Sequence, residues 1–331
     1  MVKIAFVGKG GSGKTTLSSL FIRSLTAQRL PVLAFDADIN QHLGAALGLP
    51  DDVAAGLPPL GNNLAALKDY LRGDNPLITS AEAMIKTTPP GRGSRLLRVS
   101  DDEPLWERYG YPVDGARLLV TGPFTEDDLG VACYHSKVGA VELLLNHLVD
   151  GPGEYVVVDM TAGADAFASG LFTRFDRTVL VVEPTRKSVG VYHQYRSYAA
   201  EHQVAISVVG NKVVDDSDAS FLRDQIGSDL LGHVGLSPAI RAAERGQPLV
   251  FSALPETDHR ALADIQAALD ATPRDWQRYT RQAVEFHLRN AAAWGNEAAG
   301  LELAAQVDPD FVLGPAALND PAPTALSTAS R

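Results

Sequence analysis

The sequence predicts an α/β fold, in which a doubly wound, mostly parallel sheet carries helices on both faces and a helical extension follows at the C-terminal end. Short β-branched runs alternate with longer amphipathic segments, and strand-then-helix repetition favours right-handed crossovers within one domain. We expect strands at 2–7, 31–35, 117–121, 154–159, 178–183, 205–211 and 230–234. The helices expected between them cover 14–27, 136–148, 188–202, 219–226 and 238–245.

Residues 1–250 are expected to form this domain, and two regions depart from the alternation. Residues 50–114 contain two Pro-Pro pairs and glycine-rich turns, so we expect a peripheral insertion with one or two short helices and a small hairpin. Residues 251–307 have a helical pattern, with aromatic residues spaced as a buried packing stripe (Trp276, Tyr279, Phe286 and Trp294). Residues 308–331 are rich in Pro and Ala, which predicts a disordered tail.

Composition excludes several classes of protein. The 331 residues include 29 Lys and Arg against 40 Asp and Glu, a net charge of −11, which weighs against a broad surface for nucleic acid. The single cysteine, Cys133, cannot form a disulfide within the chain and fits a reducing cytoplasm. Neither a signal-peptide pattern nor an apolar run of about 18 residues is present, so we expect a soluble cytoplasmic protein that does not bind membranes.

A phosphate-binding loop follows the first predicted strand. Residues 8–15 match G-x-x-x-x-G-K-T between a strand and a helix, which favours a nucleotide site over a chance glycine-rich turn. Glycines let backbone N–H groups turn toward phosphate oxygens, and the helix dipole points at the same place. Lys14 would neutralise the β and γ phosphates, Thr15 would ligate Mg²⁺, and Thr16 would lie by the α phosphate. The nucleotide-binding set is Gly8, Gly10, Gly11, Ser12, Gly13, Lys14, Thr15 and Thr16.

A second lysine, Lys9, stands at the second position of this loop. With it, residues 9–15 (KGGSGKT) resemble the deviant phosphate loop of the MinD/ParA family of P-loop ATPases, which includes the nitrogenase iron protein. The resemblance covers about residues 1–250. It implies that Lys9 reaches across a homodimer that sandwiches two nucleotides and stabilises charge on the partner's phosphates, as an arginine finger does. The alternative is a solvated surface lysine.

Acidic residues at two strand ends match the switch motifs of the same family. Residues 36–40 (DADIN) resemble the first switch, which implies that Asp36 holds Mg²⁺ through water and that Asp38 orients or deprotonates the attacking water. Asp159 and Gly163 resemble the D-x-x-A-G of the second switch, which implies a magnesium role for Asp159 and γ-phosphate sensing by the Gly163 N–H. Strand-end aspartates that only form turns or support the strand are the alternative.

The base-recognition motifs favour ATP over GTP. In the family, an asparagine at the position of Asn211 contacts adenine, and Lys212 follows it here. A guanine-specific N-K-x-D would require aspartate at 214, where Val214 stands. Residues 235–248 resemble the family's second adenine segment, in which Ser237 replaces the usual isoleucine before Pro238.

A loop with one cysteine and one histidine suggests a branch of the family. Cys133 and His135 form a C-x-H where the carbon monoxide dehydrogenase accessory ATPases, which help insert nickel, carry C-x-C. Doubled by a two-fold axis, the pair would give a Cys₂His₂ set for Zn²⁺ or another transition metal at the dimer interface. A buried cysteine and a packing histidine are the competing interpretation. Ala162, Ala164 and Ala166 occupy the stretch where a second cysteine would be needed for an iron–sulfur cluster.

Together these motifs predict an ATP-binding and ATP-hydrolysing dimerisation switch that uses ATP and Mg²⁺. We expect a homodimer in the ATP state and an unidentified client protein or metal centre, as for an accessory or maturation ATPase. Two alternatives remain: a partition or positioning ATPase of the ParA/MinD kind, and a nucleotide-gated regulatory adaptor. The net charge weighs against the first alternative's DNA surface, and the single basic residue in 316–331 weighs against a membrane-binding terminal helix.

Overall fold

Eight strands form one sheet, seven of them parallel. The computed structural model describes residues 2–123, 134–161 and 170–319, and for 134–136 it describes the backbone alone. The strand order is β3-β4-β2-β5-β1-β6-β7-β8, and only β3 runs antiparallel to its neighbour. The strands are β1 (Val2–Val7), β2 (Val32–Ala37), β3 (Tyr111–Val113), β4 (Ala116–Val120), β5 (Tyr155–Met160), β6 (Arg177–Val182), β7 (Ile206–Val213) and β8 (Leu230–Gly235).

The helices alternate with these strands and continue beyond them. They are α1 (Lys14–Ala27), α2 (Leu43–Ala46), α3 (Asp51–Ala55), α4 (Leu64–Arg72), α5 (Pro104–Tyr109), α6 (Tyr134–His147), α7 (Arg186–Glu201), α8 (Asp216–Ile226), α9 (Pro238–Ala243), α10 (Glu256–Asp270), α11 (Trp276–Asn290) and α12 (Asn296–Ala299). In the described ranges, no helix has the length and apolar character needed to cross a bilayer. The bounds of β1 and α1 are those predicted, and the other predicted elements differ by no more than three residues at either end.

The sheet separates two apolar layers. Val2, Ile4 and Phe6 pack with side chains of α1 and α10, whereas Ala5 and Val7 pack with those of α6, α7 and α8. Because successive side chains of a strand point to opposite faces, this alternation places helices on both sides of β1. The predicted α/β fold with helices on both faces is therefore confirmed.

The segment 50–114 contributes to the core, which corrects the expectation of a peripheral insertion. Three short helices, α3, α4 and α5, lie there, where one or two were expected. The small hairpin is formed by β3 and β4, which pair across a turn at Asp114 and Gly115, both with positive φ. However, α4 packs on α6 and α5 packs on β4, so the segment completes one helical layer. Its buried apolar side chains include Leu60, Leu67, Leu71, Met84, Leu97, Leu105 and Trp106.

A buried ionic cluster fixes α11 to the amino ends of the strands. Lys3 Nζ lies 2.6 Å from Asp150 Oδ1, and Arg274 pairs with both Asp150 and Asp176. The Lys3 ammonium also lies 4.8 Å from the ring centre of Tyr279. The C-terminal extension is thus anchored by charge and cation–π contacts as well as by apolar burial.

Two expectations for the C-terminal region need correction. Trp294 is 42% exposed and is not part of a buried stripe, although Tyr279 is buried. Residues 308–319 are packed and are not a disordered tail, because Phe311 and Leu313 are buried against Tyr279 and Arg92 pairs with Asp308 at 2.8 Å. Residues 320–331 lie outside the described residues.

Candidate functional site

The loop after β1 has the backbone of a phosphate cradle. Gly8, Gly11 and Gly13 have φ values of 151°, 79° and 92°. An ideal Cβ on Gly8 would lie 2.6 Å from the Val181 carbonyl oxygen, and one on Gly13 would lie 2.0 Å from Asn211 Nδ2. Only glycine fits this conformation and spacing, so the glycine pattern of the sequence has a steric cause here.

The start of α1 presents unpaired donors to the inside of this loop. Gly13 is the N-cap and supplies no side chain, so the first backbone N–H groups of α1 lack a side-chain cap. Ser12 is fully buried, and its Oγ has no hydrogen-bond partner among the described residues. Lys14, the first helical residue, is 6% exposed, whereas Lys9 and Gly10 lie nearer the surface. Buried donors and a buried ammonium group around an open loop fit an anionic ligand such as a nucleotide phosphate.

Two aspartates lie side by side at the carboxyl ends of the strands next to this loop. Asp36 of β2 and Asp159 of β5 are register partners, and neither is exposed. Thr15 Oγ1 donates to Asp159 Oδ2 at 2.6 Å, and Asp159 Oδ1 has no partner in the described chain. Asp36 accepts from the Leu43 N–H at 2.8 Å and from the Asp38 N–H at 3.2 Å. The pair therefore stands directly beside the hydroxyl predicted to ligate magnesium.

Burial shifts the titration of both carboxyl groups. Desolvation raises the pKa of Asp159 to about 7, although the Thr15 hydrogen bond and the Lys14 charge lower it. Desolvation and the Asp159 charge hold the pKa of Asp36 well above its usual range. A divalent cation would offset both charges, and its preferred ligands are oxygen atoms such as the unpaired Asp159 Oδ1. Thr15, Asp36 and Asp159 therefore fit Mg²⁺.

Asp38 is held in place by its own turn. It is 7% exposed, and its Oδ1 accepts from both the backbone N–H and the Nδ2 of Asn40, each at 2.9 Å. Asp38 thus lies in the same strand-end cluster as Asp36, with a carboxylate fixed by its neighbour. This arrangement suits a group that orients a water molecule.

The structure places Asn211 and Lys212 beneath the phosphate loop. Asn211 Nδ2 donates to the Ser12 carbonyl oxygen at 2.8 Å, and Lys212 Nζ donates to the Gly11 carbonyl oxygen at 2.6 Å. Lys212 also pairs with Glu183 Oε1 at 2.7 Å. Both residues thus hold the loop, and an adenine contact by Asn211 stays a prediction. Sequence analysis missed the role of Glu183. Its signal is an acidic residue directly after β6, next to the lysine near the end of the neighbouring strand β7.

The second segment expected near the base also contacts the loop. Ser237 caps α9, accepting from the Ile240 N–H at 3.4 Å, and Pro238 is the first helical residue. Serine at this position therefore has a local structural role that isoleucine could not fill. Glu244 accepts from Thr16 Oγ1 at 2.9 Å, a contact that no motif signalled. An adenine contact by Ser237 and Pro238 stays a prediction.

The structure does not fully describe three of the predicted site residues. Gly163 and Cys133 lie outside the described residues, and of His135 only the backbone, in the first turn of α6, is described. Within the described ranges, no group of three or more His, Cys, Asp or Glu side chains is arranged to hold a metal ion. The interfacial metal site and the Gly163 contact therefore stay predictions.

Comparison with known proteins shows which family the chain belongs to. The profile of the CobQ/CobB/MinD/ParA nucleotide-binding domain matches residues 4–249. The chain is 29% identical over 271 residues to the carbon monoxide dehydrogenase accessory protein CooC of Rhodospirillum rubrum, which covers 81% of this chain and 97% of that protein. It is 27% identical over 255 residues to an uncharacterised ATP-binding protein of Methanocaldococcus jannaschii, which covers 75% of this chain and 91% of that one.

Solved structures show the same fold at lower identity. MinD of Pyrococcus horikoshii, solved with Mg-ADP, has a TM-score of 0.52 and 17% identity, covering 86% of this chain and 95% of that one. MinD in complex with MinC from Aquifex aeolicus has a TM-score of 0.55 and 16% identity, covering 83% and 98%. The family resemblance drawn from residues 9–15 is confirmed, as is the similarity to a carbon monoxide dehydrogenase accessory protein. The chain belongs to the CobQ/CobB/MinD/ParA nucleotide-binding domain family.

Proposed function

We propose that this protein binds and hydrolyses ATP with Mg²⁺, and that it acts as a homodimeric switch serving a client protein or metal centre. One observation carries the proposal: five polar side chains converge at one edge of the sheet, beside a loop whose conformation requires glycine at several positions. They are Lys14, Thr15, Asp36, Asp38 and Asp159. Convergence of a cation, a hydroxyl and three carboxylates beside open backbone donors is what phosphoryl transfer to water needs.

Each residue has a distinct part in this chemistry. Lys14 and the N–H groups of the loop bind the phosphate oxygens, and Thr15 with the two buried aspartates would hold Mg²⁺. When bound, Mg²⁺ neutralises charge on the phosphates. Asp38 orients the attacking water, because its carboxylate is already fixed by Asn40. Lys9, half-buried at the rim of the loop, would reach the phosphates of a second copy.

Similarity over nearly the whole length of CooC supports the accessory role over the two alternatives. A partition ATPase would need a surface for DNA, which the net charge of −11 disfavours. A nucleotide-gated adaptor without hydrolysis would have no use for the fixed carboxylate of Asp38. Cys133 and His135 would hold the interfacial metal of such a switch. Metal content that stays equal and negligible in the parent and in Cys133→Ser would remove that part of the proposal.

The dimer is tested with a lysine variant and a charge-matched control. We expect the parent to double its molar mass in light scattering when saturated with Mg²⁺ and a non-hydrolysable ATP analogue. Lys9→Ala should bind the analogue but remain monomeric, and its ATP turnover should fall at least tenfold. Arg281→Ala removes one positive charge from the exposed side of α11, at the opposite end of the strands, and should behave as the parent. A parent that stays monomeric under these conditions would overturn the switch.

A further inference from the structure

Gln41 has a backbone conformation that its residue type disfavours. Its φ is 54°, in the left-handed region, where the Cβ of a non-glycine residue comes too close to the backbone. The residue lies three positions after Asp38, and its side chain is half-buried at the carboxyl end of the sheet. Such a conformation persists only where surrounding contacts determine it, so the contacts of the side chain indicate its role.

The side-chain amide of Gln41 joins two strand ends. Nε2 donates to the Asp38 carbonyl oxygen and lies 3.4 Å from the Asp36 carbonyl oxygen. Oε1 accepts from the Gly122 N–H at 3.0 Å. One amide group therefore connects the segment that carries Asp36 and Asp38 to Gly122, the second residue after β4 and 81 positions after Gln41.

The Gly122 end of this connection is itself held. Gly122 has a φ of 103°, and an ideal Cβ there would lie 2.5 Å from Pro59 Cβ. The neighbouring Thr121 N–H donates to the Asp36 carbonyl oxygen at 2.9 Å, and the Thr121 carbonyl oxygen accepts from the Gly61 N–H at 2.9 Å. The Gly122 N–H thus has a fixed position and gives Gln41 a stable anchor.

We propose that Gln41 is a positioning residue for Asp38: its amide anchors the Asp38 backbone to Gly122, and so sets the angle at which the carboxylate meets the attacking water. This proposal rests on the hydrolysis proposed above. Asn40 fixes the carboxylate and Gln41 fixes the carbonyl, so Asp38 is held on both sides. Without the hydrogen bonds of the Gln41 side chain, Asp38 would keep its charge and its turn, but its carboxylate would no longer point in one fixed direction.

The test compares two glutamines that share the same left-handed backbone conformation, Gln41 and Gln203. Gln203, in the turn after α7, has a φ of 55° and lies far from the site. Gln41→Gly and Gln203→Gly both relieve left-handed strain, so a difference between them reports the side-chain contacts of Gln41. Steady-state ATP hydrolysis gives kcat and KM, and hydrogen exchange resolved to single amides reports Gly122 in the presence of Mg²⁺ and a non-hydrolysable analogue.

We expect Gln41→Gly to lower kcat about tenfold with KM for ATP within about twofold, and to accelerate exchange at the Gly122 amide at least about tenfold. Gln203→Gly should match the parent in all three measurements. Accelerated exchange with unchanged kcat would overturn the positioning role, as would a decrease in kcat shared equally by both variants. If the parent does not hydrolyse ATP, the proposed function fails by itself. Unchanged exchange at Gly122 in Gln41→Gly would show separately that the connection does not exist.

Discussion

Asp36 and Asp159 lie side by side as register partners on adjacent parallel strands, both fully buried, and the Thr15 hydroxyl donates to Asp159. Two buried carboxylates side by side repel when both are ionised, so without a cation the pair retains a proton near neutral pH. The arrangement is unfavourable for the isolated chain and favourable for one that holds a divalent metal. In the proposed function, binding of Mg²⁺ removes this repulsion, so the arrangement costs stability only while the ion is absent.

This relationship predicts how stability depends on pH in the absence of metal and nucleotide. The pKa of Asp159 is raised to about 7 in the folded protein, above its value in the unfolded chain. Its contribution to stability is therefore fully present below the unfolded pKa, near 4, and is lost as pH rises through about 7. Asp159→Asn should flatten the fall in stability between pH 4 and 8, and should raise Tm at pH 8 by at least about 2 °C.

Thermal unfolding in a chelating buffer measures this effect, with Asp69→Asn as the control. Asp69 lies in the middle of α4, away from the site, so its substitution should leave both the pH profile and Tm within about 1 °C of the parent. The same Asp159→Asn variant should lose the gain in Tm that Mg²⁺ and ATP give the parent. A variant less stable than the parent at pH 8 would contradict the cost assigned to the ionised pair.

Asp38 should separate hydrolysis from binding. Asp38→Asn retains an oxygen that Asn40 can bond but lacks the carboxylate charge, so we expect ATP turnover to fall about 100-fold or more with nucleotide affinity within about threefold. Lys14→Ala should instead abolish nucleotide binding, because it removes the buried positive charge that would meet the phosphates in the proposed complex. Titration with a fluorescent ATP analogue and phosphate release distinguish the two. If both variants lost nucleotide affinity equally, Asp38 would be a nucleotide-binding residue and its assignment to the hydrolysis step would be wrong.

The sequence was sufficient to predict an element's bounds where the local segment alone determines its structure. The bounds of β1 and α1 were predicted correctly because an apolar run, a glycine loop and an amphipathic run follow one another without interruption. A small hairpin was expected within 50–114, but its strand β3 was not located, because Pro112 lies within it and proline argues against a strand. The burial of segment 50–114 was missed because its Pro-Pro pairs and glycine-rich turns are typical of a peripheral insertion, whereas its leucines pack into the core cluster that includes α6.

Residues of the site that act through contacts distant in sequence were beyond sequence analysis. Gln41 bonds to Gly122, Glu183 to Lys212, and Glu244 to Thr16. The two residues of each pair come from different motifs or from none, and the strand order β4-β2-β5-β1-β6-β7-β8 brings them together. The motif residues could be predicted, whereas the residues that support them required the fold.

The buried ionic cluster under α11 should be far more important for stability than an exposed pair. Asp150 is fully buried, and although burial raises its pKa, the charges of Lys3 and Arg274 outweigh this and hold the pKa below its usual range. Asp150→Asn leaves excess buried positive charge, so we expect a loss of about 3–5 kcal/mol in the free energy of unfolding. Asp310→Asn affects an 81% exposed carboxylate 3.7 Å from Arg92, and should cost less than about 1 kcal/mol. Urea denaturation measures both losses. Similar unfolding midpoints for Asp150→Asn and Asp310→Asn would show that the buried cluster contributes little to stability.

Steric fit at Gly13 predicts a loss of nucleotide binding from one added methyl group. Gly13 and Gly153 both have positive φ, 92° and 75°, but an ideal Cβ on Gly13 would lie 2.0 Å from Asn211 Nδ2, whereas nothing lies within 4 Å of one on Gly153. Both alanine variants incur the left-handed strain of about 1–2 kcal/mol. Only Gly13→Ala also displaces the Asn211 amide from the Ser12 carbonyl oxygen and so distorts the phosphate cradle.

We therefore expect Gly13→Ala to weaken binding of a fluorescent ATP analogue at least tenfold, and Gly153→Ala to bind it within about twofold of the parent while losing a similar amount of stability to strain. The double variant Gly13→Ala, Asn211→Ala removes the amide that the new methyl group would meet. If the collision with Asn211 is what distorts the loop, the double variant should bind more tightly than Gly13→Ala alone, whereas additive losses would assign the defect to backbone strain.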